Sequence, residues 1–255
     1  MQSVIDVYIV TDGKHRREVD ELAKLFISPI FDVNKVIVPK PIGVPNAGIG
    51  EQDLYRSYQV QWCLQKTSAK NPDRSVIFLK DSSITNTTSE KLTNLIKLIT
   101  MMNADIDIFY LCRWYDACQQ LTNITTLPEI DIKIARTYSP HGLQAMYFSP
   151  NGREIVLGNV PMKNKEYFKY DEPLEKKLNV EIYMDNITAY TTVDNIFSYD
   201  ITRADHNINY NRTHVCRSIV DNPDSTQDSG NGVIWFILIV ILIILISYAI
   251  IRIGR

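Results

Sequence analysis

From Val233 to Ile251 the chain reads VIWFILIVILIILISYAII, with no charged residue and with polar groups only at Ser247 and Tyr248. At ~1.5 Å per residue this run makes a helix roughly 28 Å long, close to the ~30 Å hydrocarbon core of a bilayer. Core helices of soluble proteins rarely extend so far without a polar face. Residues 233–251 are therefore expected to form a single transmembrane helix, with the lipid bilayer as a partner. Trp235 and Tyr248 stand where interfacial aromatics belong, and Arg252 and Arg255 make residues 252–255 a basic tail. Upstream, Asp, Asn, Pro, Ser and Gly cluster between Asp221 and Gly232, which reads as a polar linker. Residues 1–220 are left to fold as one water-soluble domain on one side of the membrane.

The N-terminus, MQSVIDVYIVTDGKHRR, holds only a short apolar run from Val4 to Val10, broken by Asp6, and does not read as a secretory signal. The expectation is a single-pass protein whose N-terminal domain is cytosolic when the helix inserts after synthesis. Charge bias points the other way, because DNPDSTQDSGNG before the helix is acidic and IRIGR after it is basic. The missing signal weighs more, since moving a folded domain across a membrane requires a targeting device. Cys63, Cys112, Cys118 and Cys216 form no CxxC pair, which favours free thiols. Asn86, Asn123, Asn186 and Asn211 open N-x-[ST] triplets, which matter only for a domain facing a lumen. A net charge of −2 supplies no basic field and argues against a nucleic-acid partner.

Within the domain, strand-like and helix-like patterns alternate. Val4 to Val10 is β-branched and reads as a strand; Glu18 to Phe26 sets Val19, Leu22, Leu25 and Phe26 on one helical face. Asn34 to Pro39 reads as a second strand, and Leu54 to Gln65 as a helix packing Leu54, Tyr58 and Trp62. Ser75 to Leu79 and Asp107 to Leu111 are continuous apolar runs of the kind found in strands covered on both faces, with helical spacing from Glu90 to Met101 between them. This order predicts an α/β domain with a mostly parallel sheet flanked by helices. Ligands of open α/β sheets sit beyond the carboxyl ends of the strands. That singles out Thr11-Asp12-Gly13, Lys80-Asp81-Ser82 and Cys112-Arg113-Trp114, with Thr11, Asp12, Lys80, Asp81 and Ser82 as candidate ligand-binding residues.

Four segments carry a resemblance: VYIVTDGKHRREVDELAKLF, VIFLKDSS, DIDIFYL and SPHGLQAMYFSPNGREIVL. Together they look like glycosyltransferase family 25, the lipopolysaccharide and collagen sugar transferases with a nucleotide-sugar-binding fold of the GT-A type. In the last segment the resemblance implies a strand from Ala145 to Phe148 and a helix opened by Ser149-Pro150. Where the family carries Glu-Asp-Asp, whose carboxylates hold Mg²⁺ or Mn²⁺ against the sugar-nucleotide diphosphate, this chain has Lys80-Asp81-Ser82. Asp81 is the one acid retained and the one candidate metal ligand, and a lysine ammonium competes with a cation for the space. Asp81 is otherwise a cap on the turn after its strand, and Lys80 could grip a diphosphate directly. Where the family usually has Ser-His, this chain has Ser57-Tyr58. Asp185 matches a family aspartate near the acceptor, so Asp81 and Asp185 are the catalytic candidates. His15, His141, His206 and His214 show no ligand spacing and read as surface or loop residues.

A soluble glycosyltransferase-like domain, a weakened acidic motif and a terminal anchor also make up the plan of a poxvirus envelope protein group, to which this chain is similar in architecture. The resemblances imply a non-catalytic surface or structural protein of a virion or intracellular membrane, with cell-surface glycans or capsid and envelope proteins as partners and no cofactor. The alternative is an active membrane-bound transferase using a nucleotide-sugar with Mn²⁺ or Mg²⁺. For an anionic glycan the basic candidates are Lys14-His15-Arg16-Arg17 and Lys163 to Lys169.

Overall fold

The computed structural model describes residues 4–40, 49–113 and 121–199. The helix expected at 233–251, the linker at 221–232 and the basic tail lie outside the described residues, as do Trp114, Cys118, Asn211 and Cys216. Among the described residues no helix is long and apolar enough to cross a membrane.

The first strand, β1 (Ile5–Val10), is buried along its whole length. It is followed by α1 (Arg16–Ala23), which runs on as a 3-10 turn to Phe26, and by β2 (Phe31–Val36). Next come α2 (Ile49–Lys70), β3 (Val76–Lys80), the short β4 (Ser83–Ile84), α3 (Ser89–Met101) and β5 (Ile108–Cys112). A hairpin of β6 (Thr122–Leu127) and β7 (Ile132–Thr137) precedes β8 (Ala145–Phe148) and α4 (Pro150–Val156). The described chain closes with α5 (Leu174–Tyr183), β9 (Ala189–Thr192) and β10 (Ser198–Tyr199), which pairs with β4.

Eight strands form one sheet in the order β2-β1-β3-β8-β5-β9-β7-β6. The expected mostly parallel sheet is corrected here to a mixed one. β1 runs parallel to β2 and β3, and β5 parallel to β9, but β8 lies between β3 and β5 antiparallel to both, and β7 is antiparallel to β9 and β6. The cause is the β6–β7 hairpin, which reverses the chain. Residues 138–144 then climb back beside α5, where Asn179 Nδ2 donates to the Pro140 carbonyl, and the chain descends again as β8.

Helices cover both faces. On one, Val19, Leu22 and Phe26 pack with Leu92, Leu95 and Ile96 against Ile5, Val7 and Ile9. On the other, Val60, Leu64, Ile155, Leu178 and Ile182 cover Tyr8, Val76, Phe78 and Met146. Burial on both faces explains why β3 and β5 read as continuous apolar runs and why β1 is apolar apart from Asp6. The buried face of α2 differs from the expected one: Val60, Cys63 and Leu64 are buried, Tyr58 and Trp62 pack at its margin, and Leu54 is exposed. Two helices begin on side-chain caps. Thr88 Oγ1 accepts from Lys91 N–H ahead of α3, and Ser149 Oγ accepts from Gly152 N–H ahead of α4, with Pro150 in the first turn.

At the amino ends of the strands the polar groups are structural. Asp6 accepts from Thr67, Asn71 and Arg74. Arg153, fully buried, donates to the carbonyls of Asn71, Pro72 and Arg74 and thereby closes the end of α2.

Candidate functional site

The parallel strands β1, β3, β5 and β9 end along one rim of the sheet, and residues 138–144 enter β8 at the same rim. After β1, Thr11 N–H donates to the Val36 carbonyl at 3.0 Å, and Gly13 N–H donates to Thr11 Oγ1 at 3.0 Å. Gly13 sits at φ +88°, a conformation that favours a residue without Cβ. The Asp12 carboxylate turns onward to Lys14, accepting its N–H at 2.9 Å and pairing with its Nζ at 3.2 Å. Partial burial raises the Asp12 pKa, but the Lys14 hydrogen bonds and the charges of Lys14 and His15 outweigh it and leave the group below the usual carboxylate range.

After β3 each member of the triplet has a defined neighbour. Lys80 N–H donates to the Gln144 carbonyl at 2.8 Å, and its ammonium donates to Gln59 Oε1 at 3.1 Å. Asp81 is buried; its N–H donates to the Val10 carbonyl at 3.0 Å and its Oδ2 accepts from Asp12 N–H at 3.3 Å. Ser82 is buried too and donates to Gln144 Oε1 at 3.3 Å. The carboxylate of Asp81 therefore ties the turn after β1 to the turn after β3. After β5, the buried Arg113 donates through Nη2 to the carbonyls of Thr192 and Val193 at 2.9 and 2.6 Å. Burial pushes the Cys112 thiol up to about 12 against the opposing charge of Arg113, and pushes the Cys63 thiol higher still, so both free cysteines are chemically quiet.

The rim brings Thr11, Asp12, Lys80, Asp81 and Ser82 together and leaves Asp185 out. Asp185 stands between α5 and β9, at the opposite end of the sheet, paired with Arg136 and, at 2.9 Å, with Lys163. A carboxylate there has no reach to chemistry at the carboxyl ends. The donor set at the rim does not suit a divalent cation. Asp81 Oδ2 takes a backbone N–H, the Asp12 carboxylate faces Lys14, and the third side chain of the turn, Lys80, is a cation held by Gln59 rather than a metal ligand. Among the described residues no group of three His, Cys, Asp or Glu side chains is arranged to hold a metal.

Sequence reasoning missed one pair at this rim. His141 Nδ1 lies 3.4 Å from Glu175 Oε1, the same oxygen that accepts the Gly142 N–H at 3.1 Å. Contacts close a ring from there: Leu174 N–H donates to Ser57 Oγ on α2, Gln59 on the same helix meets Lys80, and Lys80 meets Gln144. No local signal marks these partners, because each pair joins segments far apart in the chain.

The fold and the rim define a mixed α/β domain with a polar site at the carboxyl ends of its parallel strands. No protein-family model matches the sequence, and no curated protein matches it. Among solved structures the chain is similar to A197 from STIV, with a TM-score of 0.40 and 10% identity over 74% of this chain and 81% of that one. It is also similar to a glycosyltransferase involved in the glycosylation of the major capsid of PBCV-1, with a TM-score of 0.36 and 12% identity over 59% of this chain and 63% of that one. A third likeness is to UDP-glucose pyrophosphorylase complexed with UDP-glucose, with a TM-score of 0.31 and 12% identity over 74% and 73% of the two chains. Scores this low establish no relationship, and the functional reading rests on the site itself.

Proposed function

We propose that this chain is a glycosyltransferase-like protein, anchored in a membrane by its C-terminal apolar helix, that acts as a non-catalytic, glycan-binding surface protein. One observation carries the non-catalytic part: Asp81 is the single acid of the triplet after β3, and its Oδ2 accepts the Asp12 backbone N–H while the neighbouring Lys80 turns its ammonium to Gln59. A transferase of this class uses acids at that position to hold a divalent ion against the leaving diphosphate. Glycan binding is supported by Lys14, Arg16 and Arg17, which stand exposed beside the turn after β1 and suit an anionic glycan.

The test is calorimetric titration of the full chain in mild detergent with UDP-sugars, with and without Mn²⁺, alongside Asp81→Asn. Asparagine keeps an oxygen to accept the Asp12 N–H, so the variant is expected to fold and to bind as the parent does. Manganese-dependent nucleotide-sugar binding accompanied by sugar transfer, both lost in Asp81→Asn, overturns the proposal in favour of an active transferase.

A further inference from the structure

The amino end of the sheet, opposite the candidate site, carries most of the strongly protruding apolar side chains. Met101, at the end of α3, is 81% exposed; Ile27, after the 3-10 turn, is 76% exposed; Tyr183 and Met184, at the end of α5, are 58% and 63% exposed. All three segments lead into the amino ends of parallel strands, Ile27 into β2, Met101 into β5 and Met184 into β9. Ile27 and Met101 belong to helices on one face of the sheet, Tyr183 and Met184 to a helix on the other. Their tips thus straddle the sheet at one end, across strand positions that span about 24 Å at ~4.8 Å per strand. Single exposed apolar residues are ordinary, but several at helix ends on one side of a domain form a set of contacts for an apolar phase.

The occupant is set by the chain itself. Residues 200–232 span at most about 110 Å when fully extended, and they end in the apolar run Val233–Ile251. A bilayer is then always within reach of the domain. We infer that the amino end of the domain docks on the lipid surface, inserting Ile27, Met101, Tyr183 and Met184 at the headgroup level and turning the carboxyl-end site away from the membrane. This inference rests on the membrane-anchored reading above. Charge is not the driving term: exposed Lys70, Lys163 and Lys165 at this end are offset by exposed Asp32, Asp73, Asp105 and Asp185, so docking needs no anionic lipid. Met and Tyr suit the interface, the one by its flexible thioether and the other by an apolar ring with a polar tip.

Neutron reflectometry of the full chain in a supported phosphatidylcholine bilayer tests the idea, with alkaline-carbonate extraction of the same membranes reporting the anchor. The expected result is a carbonate-resistant chain whose domain density is contiguous with the headgroups at both low and high salt. In the variant Ile27→Glu/Met101→Glu/Met184→Glu the chain stays carbonate-resistant and a water layer opens beneath the domain. Ile37→Glu, at the opposite end and 64% exposed in the parent, leaves the profile unchanged. A water layer under the anchored parent overturns the docking and leaves the anchor standing, as does an Ile37→Glu profile that changes like the triple variant's. A chain extracted by carbonate overturns the anchor and the docking together.

Discussion

Replacing Gly152 by alanine sets two ordinary effects against each other. Gly152 lies in the first turn of α4, and an alanine in a helix is worth about 0.8–1 kcal/mol over glycine, so propensity alone forecasts a stabler protein. The packing forecasts the reverse. A Cβ at this position meets the Asp107 carbonyl oxygen at 2.0 Å, its carbon at 2.5 Å and Cα at 2.7 Å. Asp107 has nowhere to go: its N–H donates to the Thr188 carbonyl, its carbonyl accepts from Ser149 N–H, and its carboxylate accepts from Asn151 and Thr188. Reaching ordinary contact takes a shift of more than about 1 Å, at the roughly 1–3 kcal/mol of an overpacked site. The shift also pulls apart the Ser149 cap, worth about 1 kcal/mol. The net expectation is a loss of about 2 kcal/mol, or about 4–8 °C in melting temperature for a domain of this size. Thermal unfolding of the full chain in mild detergent, followed by far-ultraviolet circular dichroism, measures it. A variant as stable as the parent refutes the packing argument.

Two further outcomes are expected. Arg153→Met strips the guanidinium from the carbonyls of Asn71, Pro72 and Arg74; a loss of about 3–5 kcal/mol, read from urea midpoints at unchanged slope, is expected, and a shift below about 1 kcal/mol contradicts the role assigned to it. For Asp185, partial burial raises the pKa, but the hydrogen bond and charge of Lys163 and the charge of Arg136 outweigh it, so the folded value lies below the unfolded one. Its contribution is full above the ordinary carboxylate value near ~4 and fades as pH falls through the folded value, so the melting-temperature gap between parent and Asp185→Asn should close at low pH; a gap that widens there reverses the sign.

Elements buried on both faces were legible because the apolar pattern is local. β3 and β5 were readable as continuous runs, β1 by its β-branched residues, α3 by its spacing, and α4 through the resemblance at Ser149-Pro150. The edges of the sheet were not. Every residue from Thr122 to Thr126 is exposed, so β6 shows no alternation to read, and without β6 the β6–β7 reversal that makes the sheet mixed stays hidden. β2 lies at the other edge, where the run Val36 to Val38 drew the expected strand to Asn34–Pro39 and the observed one occupies Phe31–Val36. The site was half visible: the triplets after β1 and β3 follow from strand ends alone. Gln59, Gln144 and the His141–Glu175 pair come from α2, residues 138–144 and α5, which only the tertiary fold assembles.

The reversed strand at mid-sheet has a consequence for how this protein could diversify. Because β8 enters from the rim, the gap between the tips of β3 and β5 is roofed by a connection held through Gln144 and by Glu175 and Asn179 of α5. Substitutions at Tyr138, Ser139 and His141, the partly exposed positions of the connection, can remodel that roof while the hydrophobic layer that includes Leu143 keeps its packing. The chemistry of that roof can therefore change from one lineage to another without disturbing the sheet that carries it.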